Sequence, residues 1–311
     1  MMSKELGKAI SEWLINYKKE SVKVLTYDRL RVSLDMMLRY KISSIHPEKL
    51  TTLDIQQYIK ALVEHGYSLS TIKKQYALIV GYLKFALSQG VIQRPIYLDV
   101  KLPAKSIVKK QPREVETYSE EEQKALMAVL SKLEDVAYGA AILMMEAGLR
   151  VGEVLALKWD DIIWKRKAVR IRKTMVLTLD REWLVQPEPK SESSNRIVPL
   201  SDTAYRMLEA LEWKRPERSF IFYDCRKLDY PMTYEQLRWR LKKACDEAKV
   251  EYRGDHIFRH TFASNCYRKG CDVKILSKLL GHADVGITYN VYIHLFEDPL
   301  EEMRSVIDKL A

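Results

Sequence analysis

Six side chains along this sequence could, if brought together, attack and transfer a phosphate: Arg150, Lys190, His256, Arg259, His282 and Tyr292. Arg150 follows Gly148 in EAGLRVGEVLALKWDDI, where one apolar helix stops and another starts. A helix N-terminus offers backbone N–H groups to an anion, and a guanidinium beside it complements phosphate. The same arginine could instead be a surface residue or the partner of Glu153. Lys190 lies in PKSESSNRIVPL, a polar turn entering a strand. From there a lysine reaches into a cleft as a point charge or proton donor, or simply faces water.

His256 and Arg259, in DHIFRHTFASN, are three apart and share one helix face. Imidazole and guanidinium so placed suit two oxygens of one phosphate. His260 and Phe262 point elsewhere, and His260 reads as easily as a satisfied structural histidine. His282 follows Leu279-Leu280-Gly281, where glycine lets the chain turn sharply. Ten residues on comes Tyr292, within TYNVYIHL. With a pKa of about 10, tyrosine is a poor nucleophile at neutral pH. A cluster of cations favours the phenolate and activates it for attack on phosphorus. The plain alternative is an amphipathic tyrosine packed beside Leu295, and Tyr289, one helical turn earlier, is a rival nucleophile.

Two regions must hold these groups. The first hundred residues read as four helices forming a bundle. Leu6, Ile10, Trp13, Leu14 and Tyr17 have helical spacing, as do Leu30, Leu34, Met37 and Leu38. A third helix runs from Thr52 towards Gly66, with Ile55, Tyr58, Ile59 and Leu62 facing inward. A fourth runs from Ser70 to Gln89 and closes at Gly90. The periodicity then fails. KLPAKSIVKKQPR holds two prolines and the basic residues Lys101, Lys105, Lys109, Lys110 and Arg113 with no acid, the composition of a linker that could also follow a phosphate backbone. A second domain opens at Ser119, which with Glu122 forms a capping-box pattern. A buried helix spans Val136 to Ala147. Strands are expected at Ala168–Ile171, Trp183–Gln186 and Arg196–Pro199, and helices resume near Ser201. The expectation is a mainly α chain with a small antiparallel sheet in the second domain: residues 1–103, a basic linker 104–116, and 117–311.

The charge is divided unevenly. Of a net +10, residues 1–110 carry 19 Lys/Arg against 9 Asp/Glu, whereas the remainder carries 33 of each. Such asymmetry suits one domain gripping a polyanion, although a lysine-rich helical surface would look the same. Cys225, Cys245, Cys266 and Cys271 form no CxxC or zinc-finger pattern and read as reduced thiols. The N-terminus has no signal-peptide core, and the apolar run Ala140 to Met145 is far too short to cross a bilayer. A cytoplasmic protein without a membrane partner is expected. The sequence has neither a P-loop nor a metal-ligand cluster, so no cofactor or metal is expected.

Taken in order, AGLRVGEVLALKWDDI, PKSESSNRIVPL, HIFRHTFAS and LLGHADVGITYNVYIHL resemble the tyrosine recombinase (phage integrase) family across about residues 118–300. The resemblance implies a helical core-binding domain (a SAM-like bundle) and an α+β catalytic domain forming a C-shaped clamp on duplex DNA. Arg150 and Arg259 would clamp the non-bridging oxygens of the scissile phosphate, and Lys190 would protonate the departing 5′ oxygen. His256 and His282 would bind the phosphate or assist proton transfer. Tyr292 would attack and hold the DNA as a 3′-phosphotyrosine, on the way to a Holliday junction. It further implies a homotetramer on two DNA sites, with a possible directionality factor. Phe258 stands where the family more often has leucine, and the resemblance leads to the expectation of a short form without an arm-binding domain. Met303, Val306, Ile307 and Leu310 have helical spacing, for docking on a neighbouring subunit or on their own domain. The rival readings are a type IB topoisomerase-like nicking-closing enzyme and a catalytically idle DNA-binding regulator on the same scaffold.

Overall fold

The computed structural model describes residues 4–108, 116–132, 136–186, 195–214, 219–224, 226–227, 229–292, 304 and 307–308. It divides into two compact units, residues 1–113 with 178–182, and residues 114–177 with 183–311.

The first unit is helical: α1 (Leu6–Trp13), α2 (Val24–Met37), α3 (Thr52–Glu64) and α4 (Leu69–Ser88). Each start has a local cause. Thr51 caps α3 in a reciprocal box, donating its N–H to Asp54 (2.8 Å) while its hydroxyl accepts from the Asp54 N–H (3.2 Å). The Ser68 hydroxyl accepts from the Thr71 N–H at the start of α4. Ile55, Tyr58, Ile59 and Leu62 are buried, as their spacing predicts, against Leu6, Ile10, Trp13, Met37, Ile72 and Leu83.

Tyr17 departs from the expectation and is 55% exposed. After Trp13 the helix loosens into a π-turn over Leu14–Lys18, with the Lys19 N–H reaching back to the Leu14 carbonyl. One extra residue in that turn rotates Tyr17 off the buried face that a 3.6-residue period assigns it. Leu38, just past the end of α2, is likewise exposed. The segment leaving α4 packs on its own unit. Gln56 clasps the backbone of Lys101 through both amide atoms (2.9 and 3.0 Å). Lys105 opens a 3₁₀ turn, and Val108 is buried in the helical core. Lys109, Lys110 and Arg113 lie outside the described residues.

The second unit holds α5 (Glu120–Lys132), α6 (Val136–Glu146), α7 (Val151–Leu155), α8 (Asp202–Trp213), α9 (Tyr234–Ala248), α10 (His256–Arg268), α11 (Val273–Leu280) and α12 (Val285–Tyr292). The Ser119–Glu122 box forms, with the Ser119 N–H donating to Glu122 at 2.8 Å. α6 is apolar on every side and is buried at the centre.

Among the described residues five short strands lie in two antiparallel ladders. One orders β1 (Ile162–Ile163), β2 (Ala168–Ile171) and β5 (Arg196–Pro199); the other pairs β3 (Thr174–Leu177) with β4 (Trp183–Gln186). The three strands expected from sequence stand at those residues, but they belong to two sheets, because β4 pairs with β3 and not with β5. In β5 the side chains alternate, with Arg196 and Val198 buried and Ile197 and Pro199 exposed. The pleat therefore carries an arginine into the core.

Candidate active site

The site is built where α6, α7, α10 and α11 meet. α6 ends at Gly148, whose φ of +65° is a left-handed turn. A Cβ there would stand 2.4 Å from a ring carbon of Phe262, so only glycine fits. Two residues later Arg150 becomes the N-cap of α7 and Glu153 its third residue. α11 ends in a Schellman turn at Gly281 (φ +64°), with the His282 N–H donating to the Ser277 carbonyl and the Gly281 N–H to that of Lys278. This turn brings His282 back to face Arg259, one helical turn into α10.

Arg259 is 6% exposed, and its guanidinium donates to the Gly148 carbonyl (2.7 Å) and the Leu280 carbonyl (2.6 Å), at the C-terminal ends of α6 and α11. Its Nη2 also lies 3.1 Å from His282 Nε2. Arg150 donates through Nη2 to the Gly281 carbonyl (3.3 Å) and through Nη1 to Glu153 (2.8 Å). Arg150, Arg259 and His282 thus converge on the Leu280–His282 turn. His256, one turn before Arg259, stands at the exposed N-terminal end of α10.

The histidines are tuned towards neutrality. Burial first, then Arg259, Arg150 and Arg196, lowers His282 to about 4. His260 is lowered to about 4 by burial and then by His256 and Arg259. His256 is lowered by desolvation of its ring and by Arg259 and Arg150, against the opposing charge of Asp255. Asp255 is itself engaged, accepting from Arg238 (2.9 Å) and from the Tyr252 hydroxyl.

Two partnerships escape sequence reasoning. Thr288 on α12 sits 2.7 Å from His282 Nδ1. Arg196 donates to both oxygens of Glu153 (3.0 and 2.9 Å) and through Nε to the Leu279 carbonyl (2.7 Å). Burial by itself would raise the Glu153 carboxyl, but the Arg196 hydrogen bonds and the charges of Arg196, Arg150 and Arg259 hold it at about 2. The sequence signal for Arg196 was the alternation of β5, in which it shares the face of Val198. An arginine on a buried face needs an acid, and Glu153 supplies it.

Of the other residues singled out, Phe258 is fully buried, edge-on to Tyr118 at 5.5 Å. Tyr292 closes α12, whose description at that residue is limited to the backbone, and Tyr289 is exposed. Lys190 lies outside the described residues, as do Met303, Val306 and Leu310, while Ile307 is exposed. Among the described residues no three His, Cys, Asp or Glu side chains gather as a metal site, and no helix is long and apolar enough to cross a membrane. A cavity of about 530 Å³ in the first unit, lined by Tyr40, Tyr58, His65 and Tyr67 among others, contains none of these candidates.

The model of the phage integrase family matches residues 116–298. A tyrosine recombinase XerC-like protein of Caldanaerobacter subterraneus subsp. tengcongensis is 26% identical, over 97% of this chain and 81% of its own. The integrase of Staphylococcus phage L54a is 25% identical, over 97% and 92%. Among solved structures, the fold is shared with the Tn1549 transposon integrase in complex with transposon right end DNA (TM-score 0.81, 18% identity, 98% of this chain and 99% of that one). It is also shared with a lambda integrase from a tetramer bound to a Holliday junction (TM-score 0.67, 15% identity, 96% and 80%).

Proposed function

The chain belongs to the phage integrase family, and from that premise we propose that it recombines duplex DNA at a defined site by covalent attack of Tyr292 on the backbone. The protein is a site-specific tyrosine recombinase, in which each of the six candidate groups has a role in the transfer. The observation that carries these roles is the convergence of Arg150, Arg259 and His282 on one turn, with both guanidinium groups fixed by backbone carbonyls.

Arg150 and Arg259 clamp the two non-bridging oxygens and stabilise the charge of the pentacoordinate transition state. The phenol oxygen of Tyr292 forms a bond to phosphorus as the bond to the 5′ oxygen breaks. Lys190 gives that oxygen its proton. The phenol proton passes to a neutral imidazole, His256 being the first candidate, with His282 hydrogen-bonded to Arg259 beside the phosphate. One phosphodiester is exchanged for another, so the step reverses without a nucleotide. The 3′-phosphotyrosine waits for a 5′ hydroxyl from the partner duplex, and exchange runs through a Holliday junction.

The remaining parts of the reading stand with it. Residues 1–103 form the core DNA-binding domain and 117–311 the catalytic domain. The basic segment from Lys101 to Arg113 follows the phosphate backbone. Four copies assemble on two DNA sites in the cytoplasm, with or without a directionality factor.

The test is to trap covalent protein–DNA adducts under denaturing conditions from cells expressing wild type or Tyr292→Phe, and to sequence the attached DNA. Adducts at a few sites with wild type alone are the expected result. Adducts that persist in Tyr292→Phe would assign the nucleophile elsewhere, with Tyr289 the first candidate. Scattered adducts would favour simple nicking and closing.

A further inference from the structure

Glu153 is a problem for a phosphate site. Its carboxylate is 4% exposed and accepts two hydrogen bonds from Arg150, one from the backbone N–H (2.8 Å) and one from Nη1 (2.8 Å). A full negative charge this close to Arg150 would cancel the charge that Arg150 is needed for. Arg196 answers it from the opposite side, with one hydrogen bond to each carboxylate oxygen. Each oxygen of Glu153 thus receives one bond from each arginine.

We infer that Arg196 is a positioning residue whose buried charge offsets Glu153, so that Arg150 presents an uncancelled positive charge to the scissile phosphate. The inference rests on the strand-transfer reading above. With Arg196 in place, Arg150, Arg196 and Arg259 against Glu153 leave two net positive charges, matching the two non-bridging oxygens of a pentacoordinate phosphorane. Remove Arg196 and the count falls to one, because Arg150 and Glu153 form a neutral pair. In a site of low dielectric a charge one residue away from the phosphate acts strongly.

The same guanidinium has a second grip. Its Nε donates to the Leu279 carbonyl (2.7 Å), and it lies flat under Gly281, where a Cβ would stand 2.8 Å from Nη1. Arg196 therefore ties α7, which carries Arg150, to the turn that carries His282. Its Nε and both Nη atoms donate to Leu279 and Glu153, so it acts through those partners, as a positioning residue.

A double variant separates charge balance at Arg150 from a merely structural role of Arg196. The measurement is the yield of covalent adducts at the sites that wild type marks, for Arg196→Met, Arg196→Lys and Arg196→Met/Glu153→Gln. Thermal unfolding and affinity for a random-sequence duplex are followed alongside. Arg196→Met should lower the yield on the order of 100-fold. Adding Glu153→Gln removes the stranded negative charge while keeping a side chain that can accept the Arg150 N–H, and should recover at least about tenfold of that loss. Arg196→Lys keeps the charge without the fork and should stay within about tenfold of wild type. A double variant that folds and is no more active than Arg196→Met would overturn the inference, as would an Arg196→Met protein with wild-type yield. If Arg196→Met does not fold, Arg196→Lys and the double variant decide: activity in both supports the inference, and two folded, inactive proteins overturn it. Absence of adducts from wild type would overturn the recombinase reading itself, and this inference with it.

Discussion

His282 accepts a hydrogen bond at Nε2 from Arg259 Nη2, 3.1 Å away. A guanidinium can only donate, so the ring nitrogen facing it carries a lone pair, and the proton sits on Nδ1, 2.7 Å from Thr288 Oγ1. The arginine thus fixes the tautomer as well as the charge state. The neutral ring uses its one lone pair to hold the guanidinium and its one N–H to hold α12.

His282 and His260 should therefore stay neutral well below the usual imidazole range. Both are lowered to about 4 by burial and by neighbouring cations. Imidazole ¹⁵N shifts of the DNA-free protein should show both neutral at pH 5.5, with His282 in the Nδ1–H form. In the unfolded chain they take up protons near pH 6.5, so between that value and 4 the unfolded state binds more protons. The stability they confer is complete above about pH 6.5 and is lost as pH falls through about 4. Denaturant titrations at pH 7 and pH 5 measure the drop, which should shrink in His282→Asn. Equal stability at the two pH values would refute the assignment.

Arg259→Ala should both unfold the site and silence it. The Gly148 and Leu280 carbonyls each lose a buried donor, for a destabilisation of about 2–4 kcal/mol in denaturant unfolding. Arg259→Lys retains the charge but cannot reach both carbonyls, and its adduct yield should fall on the order of 100-fold. A Lys variant with wild-type yield would show that the planar fork is dispensable.

Gly152→Ala tests the packing beneath Arg150. A Cβ at this position would lie 2.3 Å from the Tyr234 hydroxyl and 2.6 Å from the Met175 carbonyl, which are hydrogen-bonded to each other at 3.0 Å. The carbonyl belongs to β3 and cannot give way as a flexible side chain would. A loss of about 1–3 kcal/mol is expected in thermal or denaturant unfolding. An unchanged midpoint would mean that β3 can retreat from α7 at no cost.

Much of the scaffold was legible because its causes are local. The helices of the first unit follow from apolar spacing and capping residues, and the Ser119–Glu122 box forms as written. The strands Ala168–Ile171, Trp183–Gln186 and Arg196–Pro199 have the expected limits. Tyr17 failed because a π-turn changes the period midway through its helix. The division into two sheets is not legible in the sequence, because strand pairing is set by contacts distant in the chain, as with Ile171 opposite Arg196. Of the candidate residues spaced along the sequence, the fold brings Arg150, Arg259 and His282 to one turn. The pairing of Arg196 with Glu153 was not legible, since 43 residues separate them and no local pattern joins the two.

DNA affinity should depend steeply on salt, and the first unit should account for most of that dependence. Lys101 and Lys105 are exposed on a segment whose backbone is pinned to α3. If each touches a phosphate, each substitution to alanine lowers the slope of log affinity against log salt by about 0.9 on a random-sequence duplex. Unchanged slopes would place both lysines away from the backbone.

Arg259 is held by the carboxyl-terminal ends of two helices, α6 through Gly148 and α11 through Leu280. Both ends concentrate partial negative charge on the guanidinium. An arginine on a flexible stem would have to surrender its rotational freedom each time it met a phosphate. Here that freedom is given up once, when the chain folds, and the cation waits in a fixed socket. If Arg259 takes the scissile phosphate as proposed, the entropic part of its capture is moved out of the reaction cycle and into the stability of the domain. Mutations that loosen either helix end should slow the chemistry at a distance, in proportion to how far they let Arg259 swing.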